Sequence, residues 1–263
     1  MLFRSYVFMA TKLGTVKKTS LTDFSNPRKA GIIAVDLDPG DFLIGAAITD
    51  GKHDVMLFSD SGKAVRFDEN DVRPMGRQAR GVRGMQLDEG KEVIAMLVAP
   101  QEGEVSSQSV LTATENGFGK RSPIAEYTRH GRGTKGMIAI QTSERNGKVV
   151  AATLVAPEDE LMLITTGGVL IRTRVAEVRE MGRATQGVTL ISVDDGTKLS
   201  GLQRVVESDA DNGENGNGAH GNGNGGNGHE ATAQGGAGTD SSAENANGDT
   251  PENGSQSGSE PKE

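Results

Sequence analysis

The chain has 263 residues, of which 34% are hydrophobic and 3% aromatic, and its 36 acids and 28 lysines and arginines give a net charge of −8. Residues 207–263 hold eleven acids and one base, which leaves residues 1–206 a net +2. The absence of cysteine excludes disulfides and thiolate metal sites, and the longest apolar run, Val93 to Ala99, is too short to cross a bilayer.

The chain opens on an apolar stretch, Tyr6-Val7-Phe8-Met9-Ala10, followed by a turn at Gly14 and the bases Lys17-Lys18. The same arrangement returns at Val55-Met56-Leu57-Phe58 with Gly62, at Val110-Leu111-Thr112-Ala113 with Gly117, and at Leu161-Met162-Leu163-Ile164 with Gly168. The turn glycines are 48, 55 and 51 residues apart. A β-rich repeat of about 50 residues is the mark of a propeller-like array. Asn116-Gly117 and Gly167-Gly168 are strong hairpin pairs, since both tolerate positive φ.

After each turn the unit continues through a second glycine, Gly31, Gly81, Gly136 or Gly187. Each leads an expected strand: Ile32 to Val35, Val82 to Met85, Met137 to Ile140 and Val188 to Ile191. A fourth strand closes the unit, as at Leu43 to Ala46, Val93 to Met96 and Val150 to Thr153. No helical period is sustained; Asp68 to Val72 and Ile124 to Tyr127 are expected to form single turns. The expected fold is all-β, with about four visible blades in residues 1–206. The first blade strand has no element before it to cover its edge, so further blades are expected on its N-terminal side. Residues 207–263 are rich in Gly, Asn and acid. They cannot bury enough surface to offset their ordering entropy, so a disordered tail is expected.

Two columns of bases repeat with the blades. The first is Lys18, Arg66, Arg121 and Arg172; the second, 10 or 11 residues later, is Arg28, Arg77, Arg132 and Arg183. Further bases flank them, among them Lys17, Lys29, Lys63, Arg73, Arg80, Arg83, Lys120, Arg129, Lys135, Arg174 and Arg179. At equivalent positions on successive blades they would form an arc of positive charge able to neutralise duplex phosphates without reading bases. The bland alternative is that first-column bases cap strand ends or pair with acids such as Asp68, Glu126 and Glu177. Aromatics suited to stacking on single strands are scarce, which favours a duplex. His53, His130, His220 and His229 have no metal-ligand spacing and no phosphate-binding loop motif is present, so no catalytic set emerges. A soluble, cytoplasmic chain is expected.

Met9-Ala10-Thr11 with Gly14-Thr15-Val16-Lys17-Lys18-Thr19, Val65-Arg66-Phe67, Gly81-Val82-Arg83-Gly84, Gly119-Lys120-Arg121, Thr134-Lys135-Gly136 and Gly182 to Val188 resemble the C-terminal domain of DNA gyrase A. The resemblance covers residues 6 to 206. It implies a β-pinwheel whose blades exchange strands and whose basic rim wraps duplex DNA. It also implies, as partners, the rest of gyrase A and gyrase B in an A2B2 holoenzyme at the bacterial nucleoid. No cofactor is then expected for this chain, ATP and Mg2+ acting elsewhere in the holoenzyme. The DNA-binding set so expected is Lys18, Arg28, Lys29, Arg66, Arg77, Arg80, Arg83, Lys120, Arg121, Arg132, Lys135, Arg172 and Arg183. The family's first-blade box, Gln-Arg-Arg-Gly-Gly-Lys-Gly, is absent. Gln78 to Gly84 is a degenerate copy in a later blade, with Arg83 in place of lysine. The cleavage domain is missing, so neither Tyr6 nor Tyr127 takes a catalytic role. Two alternatives stand: the corresponding domain of the A-type protein of topoisomerase IV, and a propeller scaffold that binds proteins.

Overall fold

A computed structural model describes residues 5–101 and 108–205. The tail expected over 207–263 lies outside the described residues, as does the expected boundary after residue 206. The first blade contains β1 (Tyr6–Thr11), β2 (Thr15–Ser20) and β3 (Leu43–Thr49), and the second β4 (His53–Ser59), β5 (Lys63–Asp68) and β7 (Val93–Pro100), with β6 (Val82–Arg83) between them. The third holds β8 (Ser109–Thr114), β9 (Phe118–Pro123) and β11 (Val149–Val155), and the fourth β12 (Glu160–Thr165), β13 (Leu170–Arg174) and β15 (Leu199–Val205). Two further short strands, β10 (Met137–Ile138) and β14 (Val188–Thr189), precede β11 and β15 in the chain.

The short strands do not stay with their own blade. β6 pairs antiparallel with β2, β10 with β5 and β14 with β9, so each leaves its blade and becomes the outermost strand of the preceding sheet. This exchange makes the array a pinwheel. Each crossover is shorter than the four-residue strand expected from the sequence. After two paired residues the backbone turns beneath the neighbouring hairpin, where the amides of Gly84 and Met85 both donate to Gly14 O. Ala139 and Ile140 do the same at Gly62 O, and Leu190 and Ile191 at Gly117 O. Gly62 explains why the turn needs glycine: its φ is +80°, and a Cβ there would collide with Ile140 O. Both backbone strain and the approach of the next blade forbid a side chain.

Ile32 to Val35 does not form the expected strand, and Ile33 is 62% exposed. The other three crossovers acquire strand geometry from the preceding blade's hairpin; no such hairpin lies before this segment among the described residues. The fourth sheet correspondingly has three strands, with β13 at its edge.

The core lies between successive sheets, and β4 shows how. Val55 and Leu57 pack with Phe8 and Phe67 on one side, while Met56 and Phe58 pack with Val110 and Tyr127 on the other. Period-2 alternation on a strand buried on both faces therefore gives an unbroken apolar run, because each parity meets a different blade. Aromatic pairs bolt the two layers: Phe8–Phe67 with centroids 6.4 Å apart, and Phe58–Tyr127 edge-on at 5.9 Å. On the inner side, β3, β7, β11 and β15 line a cavity of about 470 Å³ bordered by Gly45, Met96, Leu154 and Gln203.

Candidate nucleic-acid interface

The first basic column turns inward. Lys18 on β2 is 1% exposed, and its ammonium lies 2.9 Å from Glu69 Oε2 and 3.1 Å from Asn70 Oδ1 on the 3-10 turn of the next blade. Arg66 on β5 is 3% exposed; its Nε donates to Asp54 at 2.7 Å, and its Nη1 donates to the carbonyls of Ile124 and Tyr127 at 3.2 and 3.1 Å. Arg121 on β9 donates from Nε to Val178 O at 2.7 Å. Lys18, Arg66 and Arg121 thus each grip the single turn that follows the hairpin of the next blade. Arg172 on β13 is exposed and donates to Glu160 within its own blade.

Lys18, Arg66 and Lys120 are therefore corrected: they do not present their charges to a phosphate. A buried cation is tolerable only when paired or fully hydrogen-bonded, and these are held that way by the neighbouring blade. Lys120 donates to Gly182 O at 2.6 Å and to Ser122 Oγ at 3.1 Å; burial pulls its ammonium down to about 8, with Arg183 adding to the effect against the pull of Glu126. Lys17 is held in the same manner by Ala34 O at 2.7 Å and by Arg77 O, and burial, reinforced by the Arg77 charge, lowers its pKa too. Arg121 is half-buried with its Nε committed, so it leaves the interface as well.

The second column reaches backwards along the array. Arg77 Nη1 donates to Ile33 O at 2.9 Å, Arg132 Nη1 to Arg83 O at 3.0 Å, and Arg183 Nη1 to Ile138 O at 2.9 Å. In each case the acceptor stands two residues after the second glycine of the preceding unit. Arg132 also donates from Nε to Asp71 O at 3.0 Å. These guanidiniums are half-buried rather than withdrawn, and their Nη2 atoms have no acceptor among the described residues.

Several bases that remain outward lie in the loops that lead to the crossovers and, for Arg83, on the crossover strand β6. Arg28, Lys29, Arg73, Arg83 and Arg179 are exposed and have no side-chain acceptor among the described residues. Arg80 is exposed but paired with Asp36 at 3.2 Å and Asp38 at 3.0 Å. Lys135 shares Asp88 with Lys63, each nitrogen 2.8 Å from a carboxylate oxygen. The hydrogen bonds from Lys135 and Lys63 hold the Asp88 carboxyl at about 2. Such exposed pairs contribute little to stability and are open to exchange for another anion.

Sequence reasoning missed the clamping role. Its signal was the near-constant spacing of the columns: a backbone clamp requires fixed spacing, whereas a solvent-facing phosphate contact does not. It also found no metal-ligand spacing around His53, yet Asp50, His53 and Glu69 come together. The Glu69 carboxylate is already committed, accepting from the amides of Gly51 at 2.8 Å and His53 at 3.0 Å as well as from Lys18. Tyr127 packs in the core, where burial pushes its phenol up.

The model of the DNA gyrase C-terminal domain, a β-propeller, matches residues 5–50, 53–100, 108–156 and 159–205, one match for each blade. The chain belongs to the DNA gyrase A C-terminal domain family. It is 55% identical over 203 residues to the DNA gyrase A protein of Pseudomonas aeruginosa, covering 77% of this chain and 22% of that protein. It is 51% identical over 201 residues to the Escherichia coli K12 counterpart, covering 76% and 22%. The chain therefore spans about a fifth of the length of the curated relatives it matches. A solved gyrase A C-terminal domain superposes with a TM-score of 0.67 at 29% identity, over 78% of this chain and 67% of that one. The C-terminal domain of DNA topoisomerase IV superposes at 0.72 with 23% identity, over 78% and 62%, which shows a shared fold and no more. The pinwheel expected from the resemblance is the fold observed, and gyrase is favoured over topoisomerase IV.

Proposed function

We propose that this chain is the DNA-binding and DNA-wrapping module of gyrase A and carries no catalysis of its own. The observation that supports it is a repeated set of exposed bases in the loops leading to the crossovers and on β6 of a gyrase-family pinwheel: Arg28, Lys29, Arg73, Arg83 and Arg179. Arg77, Arg132 and Arg183 join each of these loops to the crossover of the preceding unit, which supports a charge array that runs from blade to blade. Charges in such an array neutralise regularly spaced phosphates with little dependence on sequence.

Strand passage belongs to the rest of the enzyme. In this proposal the remainder of gyrase A and gyrase B, assembled as A2B2, supply cleavage and the ATP- and Mg2+-dependent steps. The wrap held here biases their product toward negative supercoils. A cytoplasmic site of action follows from the DNA substrate; among the described residues no helix is long and apolar enough to cross a membrane.

The test is closure of nicked circular DNA around the purified full chain, followed by protein removal and measurement of linking number. A positive shift that grows with bound protein is expected. An unchanged linking number on DNA shown to be bound would leave a binding module that does not wrap.

A further inference from the structure

The arginines of the second column hold an unusual position, touching protein with one edge and solvent with the other. Arg77, Arg132 and Arg183 each sit in the loop that carries the chain to its own crossover, yet each donates to the crossover of the preceding unit. The acceptor carbonyls, Ile33 O, Arg83 O and Ile138 O, occupy equivalent places in three successive units. Where a pairing strand exists, the crossover gripped in this way is also tied to its own preceding hairpin, as β6 is to β2 and β10 to β5. One guanidinium thus ties the loop leading to one crossover to the crossover before it, and the exposed bases lie along these loops and on β6.

We propose that Arg77, Arg132 and Arg183 are positioning residues for the DNA wrap: each latches one crossover to the next and sets the angle through which the path of phosphates turns from blade to blade. The proposal rests on the wrapping function given above. A guanidinium suits the task because its donors are fixed in a planar fork. Nη1 is aimed at the carbonyl while Nη2 remains open to a phosphate, so a bound duplex tightens the joint instead of competing with it. Lysine keeps the charge but carries its three donors on one freely rotating nitrogen, so it lacks the planar fork that holds the carbonyl and a phosphate at a fixed angle. The latch and the charge are therefore separable by Arg→Lys substitution.

The experiment uses the full chain carrying R77K, R132K and R183K, singly and together, with folding verified by circular dichroism and thermal melting. Three readouts are taken: affinity for a short duplex, linking-number change per bound protein on closed circles, and amide hydrogen exchange without DNA. Affinity is expected to fall less than about threefold, because charge is kept. The linking-number change per bound protein is expected to fall by at least half in the triple variant. Exchange at Gly84, Met85, Ala139 and Ile140 is expected to quicken at least fivefold, the single R132K and R183K variants acting only on their own joint. Unchanged exchange overturns the latch whatever the DNA does. Faster exchange with an undiminished linking-number change overturns its role in the wrap. If the unsubstituted chain binds without shifting the linking number, the wrapping reading itself fails, and exchange alone then decides whether the joint is latched. Should the triple variant not fold, the single R132K and R183K variants, each with its own reporter amides, are measured by the same three readouts.

Discussion

The Lys18 ammonium lies 2.9 Å from Glu69 Oε2, both side chains are shut off from solvent, and the two residues belong to neighbouring blades. A sheet-to-sheet core of aliphatic side chains can slide. A buried ion pair flanked by Asn70 and two backbone amides has one acceptable arrangement. Removing one partner of such a pair leaves a desolvated charge and typically costs about 3–5 kcal/mol.

The Lys18→Met variant is accordingly expected to lose about 3 kcal/mol in urea unfolding. Pairing it with Glu69→Gln, whose amide oxygen can still accept from Gly51 and His53, restores most of that loss. K18M as stable as the unsubstituted chain would contradict the assignment of this pair as a blade clamp.

The same carboxylate makes the fold sensitive to acid. Burial alone would push Glu69 up, but the nearby Thr49 hydroxyl, the Lys18 ammonium and the His53 amide outweigh it and hold the group below its ordinary 4.5. A carboxyl lowered on folding binds fewer protons in the folded state. Its stabilising share is therefore complete above the ordinary value and is lost as pH falls through the lower, folded value. Glu69→Gln is expected to flatten this part of the acid limb, visible in urea midpoints taken from about pH 6 to pH 3. Parallel limbs in the two proteins would argue that other carboxyls carry the acid sensitivity.

Lys120 gives the opposite sign at alkaline pH. Its value falls from 10.5 unfolded to about 8 folded, chiefly through burial. Between those values the unfolded chain binds the extra proton, so stability rises with pH across the window. Below it, the penalty for burying the charge is present in full. The second and fourth blades place apolar Val65 and Ile171 at the corresponding position, immediately before Arg66 and Arg172. Lys120→Met is expected to remove the alkaline rise, and a rise of equal size in the variant would assign it elsewhere.

The blades were legible because their determinants are local and repeated. Gly14, Gly62 and Gly117 mark hairpins through their own backbone needs, and Val55 to Phe58 announces a strand buried on both faces. Strand exchange was not legible from the residues alone. Val82-Arg83 pairs with Val16 and Thr15 through a contact that periodicity cannot see, and only the family resemblance implied it. Ile32 to Val35 shows the same limit, since its pattern matches the other crossovers while its structure depends on a partner. The basic columns were the least legible part. Lys18 and Arg179 are equally charged in sequence, yet the next blade's turn claims one and leaves the other in water.

Residues 207–263 carry eleven acids and one base and lie outside the described residues. Electrostatics alone predicts that so many acids on one chain compete with DNA for its exposed bases. Deleting them is expected to raise duplex affinity, most clearly at low salt where screening is weakest. Equal affinity with and without them would reduce the segment to a solubilising appendage.

The central claim, that the exposed bases of the crossovers and of the loops leading to them engage duplex phosphates, is tested most directly by the salt dependence of binding. The full chain is compared with a variant carrying R28Q, K29Q, R83Q and R179Q, over about 50–200 mM salt. Each phosphate contact contributes about 0.9 to the slope of log affinity against log salt. The account predicts a steep linear loss for the unsubstituted chain and a slope shallower by about 3.6 in the variant. Binding indifferent to salt would favour a protein-docking scaffold, and an unchanged slope in the variant would contradict the assignment of these bases.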